Sequence, residues 1–273
     1  MSHPQVTDTA AVDLTGPRAQ LLLALADDEL VTGHRAAYWT GIAPSLEEDL
    51  AFSTIAQDEL NHADVWFQVL LGDEVADVRA GVDALAFGRE PDAYRHAIVC
   101  ERPPRDFAYT LARHWCYDRF DAIRLTALTD SSDAAIAAVA TKLTHEERYH
   151  LEHADHWFRR LAAGGDVARG HLEAALRAVL PEALGLFEPL VDEDRTVAEG
   201  LLPVPHAALR RRWSEVVATM LDEVGLGELA PGSRDAPPAD AGGGRDGRHS
   251  ADFTDDVWPE MTGLYRAHPG ARW

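Results

Sequence analysis

Two segments of this sequence share the pattern Glu-x-x-His: Glu59-Leu-Asn-His62 and Glu147-Arg-Tyr-His150. On an α-helix, residues three apart lie on one face, so each segment presents a carboxylate and an imidazole that a metal ion can share. The motif is short, and roughly one copy is expected by chance in a chain of this composition. Its setting says more. Glu59 and His62 fall in the apolar stripe Phe52, Ile55, Ala56, Ala63, Trp66, Leu70. Glu147 and His150 fall in the stripe Ile136, Ala140, Leu143, Leu151, Ala154, Trp157, Leu161. A carboxylate on an apolar stripe is costly unless it is paired or bound to metal.

Two further acids interrupt apolar stripes. Glu29 stands among Leu22, Leu25, Ala26, Gly33 and Ala36, and Asp118 among Phe107, Leu111, Trp115, Ala122 and Leu125. Glu29 precedes Glu59 by 30 residues and Asp118 precedes Glu147 by 29, a spacing that suits two antiparallel helix pairs presenting ligands at one depth. The candidate metal ligands are therefore Glu29, Glu59, His62, Asp118, Glu147 and His150. Asp28, Asp121 and Glu146 take over a position if a helix is rotated. The competing reading of the same acids is a set of buried ion pairs with arginine, or a solvated face.

Hard carboxylates with imidazole suit two iron ions, or manganese, better than thiolate-rich zinc chemistry. Such a pair can use dioxygen and two external electrons to oxidise an organic substrate, or it can serve iron storage. Glu59 and Glu147, each one turn before a histidine, are the expected bridging carboxylates. His62 and His150 then bind one metal each, with Glu29 and Asp118 as outer ligands. His145, His153 and His156 read as surface or supporting residues, Arg210-Arg211-Arg212 as a solvated face, and Tyr38 and the tryptophans as core. No phosphate loop, dinucleotide fingerprint or nucleophile elbow occurs.

The elements that must position these residues are helices. A period of three to four starts after Pro17 and ends near residues 39–41. Ser45, with Glu48 three residues on, caps a helix that runs to Leu71 and stops at Gly72. Short helices are expected at 78–86 and 91–99. Long ones are expected from Asp106 to about Asp130 and from Ser132 or Asp133 to Ala163, with two more at 166–190 and 205–225. The first 16 residues are polar. The fold class is all-α: a four-helix bundle over 17–225 with peripheral helices. A flexible linker or loop over 226–250, rich in Gly and Pro, leads to an irregular C-terminal segment, 251–273, that packs back on the bundle.

The chain has 273 residues and a formal net charge of −21. That excess of acid argues against nucleic acid, whose binding rests on cations. Lys142 is the only lysine. Two cysteines, Cys100 and Cys116, are too few for a disulfide framework and suit a reducing compartment. With no apolar run long enough to span a membrane and no secretory signal, the chain reads as cytoplasmic.

Several runs resemble the phenylacetic acid catabolic family. They are Leu25-Ala-Asp-Asp-Glu-Leu-Val-Thr-Gly-His34, Ala43-Pro-Ser-Leu-Glu-Glu-Asp-Leu50, Asp106-Phe-Ala-Tyr-Thr-Leu-Ala-Arg113, Glu146-Glu-Arg-Tyr-His-Leu151, and the ending from Gly247-Arg-His249 to His268-Pro-Gly-Ala-Arg-Trp273. The resemblance implies a ferritin-like fold and a place among the subunits of a multicomponent monooxygenase that epoxidises the ring of phenylacetyl-CoA. It implies an oligomer with a homologous catalytic A subunit, and electrons from a separate reductase. The match is to C-type subunits, which in this family usually serve as structural partners and have lost the second-helix motif. This chain keeps Glu59 and His62, so the resemblance leaves open a metal-retaining subunit, a non-catalytic partner or a stand-alone di-iron oxidase.

Overall fold

The computed structural model describes residues 13–72 and 75–271. The first twelve residues of the polar start, and Arg272 and Trp273 of the C-terminal segment, lie outside the described residues. Four long helices form the bundle: α1 (Pro17–Ala37), α2 (Leu46–Leu71), α5 (Phe107–Leu128) and α6 (Ala134–Ala162). Around them lie α3 (Val78–Phe87), α4 (Ile98–Glu101), α7 (Asp166–Ala183), α8 (Glu193–Ala198), α9 (His206–Glu223) and α10 (Trp258–Ala267). No strand occurs among the described residues.

The helix starts follow local chemistry. The hydroxyl of Ser45 accepts from the Glu48 N–H at 3.4 Å, Asp106 from that of Tyr109 at 2.8 Å, and Asp133 from that of Ala135 at 2.9 Å. Each cap satisfies an amide that the first turn leaves without a partner. Helix α1 packs along α2, and α5 along α6 and α7. Gly33 lets the first pair approach closely: a Cβ there would stand 2.9 Å from the Glu59 Cβ. The buried face of α6 is Ile136, Ala140, Leu143, Glu147, His150, Ala154, Phe158 and Ala162, with Trp157 and Leu161 at its edge. Phe158 on this face and Phe67 on α2 are core residues; Phe158 stacks on Trp115 at 4.3 Å. Tyr38, read as core, is exposed because α1 ends just before it.

The helix expected over 91–99 is instead a 3₁₀ turn (Pro91–Ala93), an extended stretch and the short α4. The extended backbone points the amides of Arg95 and Ala97 at the buried carboxylates of Asp27 and Asp28, at 2.8 and 2.9 Å. Those two bonds replace the ones a continuous helix would have made. Similarly, α7 stops at Ala183 and passes into a 3₁₀ turn over Leu184–Phe187.

The Gly-rich stretch within 226–250 is partly built into the interior. Gly244 lies so close to the His96 carbonyl that a Cβ there would be 2.2 Å from its oxygen. This approach carries Arg245 inward, where its guanidinium grips both oxygens of Asp28 at 2.8 Å. Glycine here serves close backbone contact as well as freedom.

A clasp of His96, Glu101 and His249 fastens the C-terminal segment. Glu101 Oε2 faces His96 Nε2 at 2.7 Å and His249 Nδ1 at 3.0 Å, while its Oε1 accepts the Ser250 amide at 2.8 Å. The donor types and their proximity would suit a metal. The two rings, however, stack face to face at 4.0 Å, so their nitrogens reach the carboxylate side by side. Tetrahedral ligation needs them splayed by about 109°. Hydrogen bonding accounts for this group.

The clasp makes stability depend on pH. Burial, and then the charge of His249, lower His96 to about 4, against the pull of Glu101 and Asp27. Burial would raise Glu101, but the hydrogen bonds from His249 and His96 hold it well below the usual carboxylate range. As pH falls from about 6.5 to 4, the unfolded chain takes up a proton at His96 that the native state refuses, so stability falls. Depressed Glu101 acts in the same direction below about 4.5. Urea unfolding is expected to show a loss of about 3 kcal/mol from His96 across its window. His96→Gln is expected to flatten that part of the profile; an unchanged slope would refute the assignment.

Candidate metal centre

The interior between α1, α2, α5 and α6 is crowded with acid. Asp28, Glu29, Glu59, Asp118, Asp121 and Glu147 are all buried there. Glu29, Glu59, His62 and Glu147 each place a ligand atom within 4.8 Å of the others. His150 joins them, with Nδ1 3.2 Å from Glu147 Oε2 and 3.5 Å from Glu59 Oε1. His62 Nδ1 lies 3.0 Å from Glu147 Oε1, and the two imidazole rings are 6.1 Å apart. Glu147 therefore stands between the two histidines.

Five of the six predicted ligands thus meet. Asp118 is buried on the same face of α5, but the nitrogen it approaches is His114 Nδ1, at 3.8 Å. Asp121, one turn further on, is held by Arg124 Nε at 2.9 Å and feels the charges of Glu59 and Glu147. Arg124 also reaches Asp28 at 2.6 Å and Glu29 at 3.3 Å. The ion-pair reading of the acids is therefore correct for Asp28 and Asp121, and for one oxygen of Glu29.

It does not account for the rest. Glu29 Oε2, both oxygens of Glu59 and of Glu147, and the Nδ1 atoms of His62 and His150 have no hydrogen-bond partner. Several approach one another to 3.0–3.5 Å, yet none is aligned as donor to acceptor. Their lone pairs converge on shared space, which is what a cation requires and what a hydrogen-bond network avoids. The residues present, carboxylates with two imidazoles, fit divalent iron or manganese.

The histidines are braced reciprocally. His62 Nε2 lies 3.1 Å from Glu146 Oε2, and His150 Nε2 lies 3.3 Å from Asp58 Oδ2. Each outer carboxylate directly precedes the glutamate of the opposite Glu-x-x-His segment. Such a partner fixes the ring and leaves the other nitrogen facing inward. Glu146 is thus a brace for His62. Asp58 was not singled out from the sequence, although the acid before each motif glutamate was the available signal. Arg124 was missed as well, since nothing local marks an arginine as buried.

Electrostatics report the same crowding. Burial, then the charges of Asp121 and Glu59, push Glu29 well above the carboxylate range. Burial would also raise Glu147, but the imidazoles of His150 and His62 beside it hold it at about 2. Burial opposes charge on both histidines, yet the neighbouring carboxylates raise them.

An all-helical, ferritin-like bundle with a carboxylate–histidine group in its interior is the class these features define. The family model described as phenylacetic acid catabolic protein matches residues 1–273, and the chain belongs to that family. It is 31% identical over 259 residues to the C subunit of 1,2-phenylacetyl-CoA epoxidase from Escherichia coli (strain K12), a match covering 92% of this chain and 97% of that one.

Proposed function

We propose that this protein is a subunit of a multicomponent ring 1,2-phenylacetyl-CoA epoxidase in phenylacetate degradation, and that it holds a dinuclear metal centre of its own. The observation that carries the reading is the group of Glu29, Glu59, His62 and Glu147 beside His150, with seven ligand-type atoms left without hydrogen-bond partners. The family and the Escherichia coli relative supply the reaction.

In this reading Glu59 and Glu147 would serve both ions, His62 and His150 one each, and Glu29 and Asp118 would be the outer ligands. Iron suits this donor set, with manganese as the alternative. Bound iron would supply dioxygen activation, with electrons from a separate reductase. The protein's part is to present the ligands: Glu146 and Asp58 hold the imidazoles, and Arg124 offsets the charge of Asp28, Glu29 and Asp121. A second reading, a non-catalytic partner of a catalytic A subunit, draws support from Arg124, which already engages Glu29 and Asp121.

Anaerobic Fe(II) loading followed by metal analysis separates the two. The first reading expects about two irons per chain, with phenylacetyl-CoA epoxidation by the reconstituted complex falling in His62→Ala and His150→Ala. Failure of wild type to bind iron would leave the partner reading. Iron lost without loss of epoxidation would assign the chemistry to the other subunit.

A surface for the sister subunit lies at the α1–α2 turn. Tyr38, Ile42, Leu46 and Leu50 are all exposed there, Leu46 by 69% and Leu50 by 61%. Leu46→Glu with Leu50→Glu is expected to weaken association with the co-encoded subunits at least about tenfold, with the melting temperature unchanged. Co-purification at wild-type yield would exclude this face. No helix among the described residues is long and apolar enough to cross a membrane.

A further inference from the structure

Four helices enclose the acid-rich centre, and three of the seams between them are shut. Gly33 brings α1 so close to α2 that a Cβ there would stand 2.9 Å from that of Glu59. Trp115 of α5 stacks on Phe158 of α6 at 4.3 Å. Between α1 and α5 the guanidinium of Arg124 reaches Asp28 and Glu29, and its charge would repel an incoming cation.

The seam between α2 and α6 is built otherwise. It is crossed by two reciprocal pairs, His62 with Glu146 at 3.1 Å and His150 with Asp58 at 3.3 Å. In each pair the imidazole is buried and the carboxylate reaches solvent. The side chains of His150 and His62 are 0% and 2% exposed, against 38% for Asp58 and 42% for Glu146. Behind the rings lie Glu59 and Glu147, both buried, with all four oxygens free of hydrogen-bond partners. One imidazole therefore separates a solvent-facing carboxylate from an unsatisfied inner one. The two ways in are unequal. Lys142 Nζ lies 3.6 Å from Glu146 Oε1, whereas no lysine or arginine pairs with Asp58 among the described residues.

We propose that Asp58 is the surface carboxylate that first receives a divalent cation bound for this centre, and that the His150 side fills before the His62 side. The inference rests on the metal-binding reading above and adds to it a route and an order. Asp58 draws the hydrated ion by charge, and a turn of the His150 ring opens the way to Glu59 and Glu147. On the other side Lys142 offsets the charge of Glu146 and slows capture there.

Co(II) is the probe, mixed with the full chain in a stopped-flow instrument and followed by the ligand-field absorption of the bound ion. A fast and a slow phase are expected. Asp58→Asn keeps an oxygen for the ring but removes the charge, and is expected to slow the fast phase about tenfold. A side chain that only positioned His150 would raise the dissociation rate, read by chelator competition, and leave association unmoved. Lys142→Ala is expected to speed the slow phase about threefold at low ionic strength, a gain that disappears in about 1 M salt. About two Co(II) bound per chain, with association rates that neither substitution moves, would overturn the route and leave the metal reading standing. No Co(II) bound at equilibrium would overturn both.

Discussion

Glu147→Ala is expected to abolish metal retention at both positions of the centre, while His62→Ala and His150→Ala each lose about one ion of two. The asymmetry follows from geometry. Glu147 presents one oxygen 3.0 Å from His62 Nδ1 and the other 3.2 Å from His150 Nδ1, so a single truncation removes a ligand from each side. Each histidine faces its own side only. The expected fall in affinity for Mn(II) or Fe(II) is more than about 100-fold for Glu147→Ala, against about 10- to 100-fold for Glu146→Gln or Asp58→Asn, which loosen a ring without removing a ligand. Anaerobic equilibrium dialysis with metal counting reads all of these. Wild-type metal content in Glu147→Ala would remove it from the bridging position.

The second large effect belongs to Arg124. Arg124→Met leaves Asp121 without its cation, takes one from Glu29 and leaves Asp28 to Arg245 alone. Breaking a buried pair by removing one partner costs about 3–5 kcal/mol, because the remaining charge stays in the interior. For a chain of this size that is a drop in melting temperature on the order of 10 °C in the metal-free protein. Freed from the guanidinium, Glu29 and Asp121 are expected to hold a divalent ion more tightly. Mn(II) is then expected to raise the melting temperature of the variant by more than it raises that of wild type. A metal-free variant that melts with wild type would show that Arg124 does not offset these acids.

The two predictions pull on the same competition. A guanidinium answers the excess of buried acid, and in the proposed reading a metal ion answers it as well. Glu59, Glu147, His62 and His150 lie outside the reach of Arg124 and carry most of the unsatisfied atoms. Glu29 lies in both camps, with one oxygen on Arg124 and the other free.

Local chemistry determined much of this protein by itself. The caps at Ser45, Asp106 and Asp133, the proline at the start of α1 and the glycine after α2 act within one turn, so the bounds of the four long helices could be read to within a residue or two, except the end of α1, expected near 39–41 and found at Ala37. The pairing of Glu59 with His62 and of Glu147 with His150 is likewise a property of one helix face. What one stretch of chain does not contain, only the tertiary structure decided. The brace from Glu146 to His62 spans 84 residues and that from Asp58 to His150 spans 92. The choice between Asp118 and Asp121 turns on the rotation of α5, which its neighbours set, because residues three apart share a face. Arg245 comes from a Gly-rich stretch that composition assigns to solvent, and it is buried only because Gly244 can touch the His96 carbonyl. Periodicity reports which side of a helix is apolar. Which charges meet inside depends on the distances between helices, and those are fixed by packing.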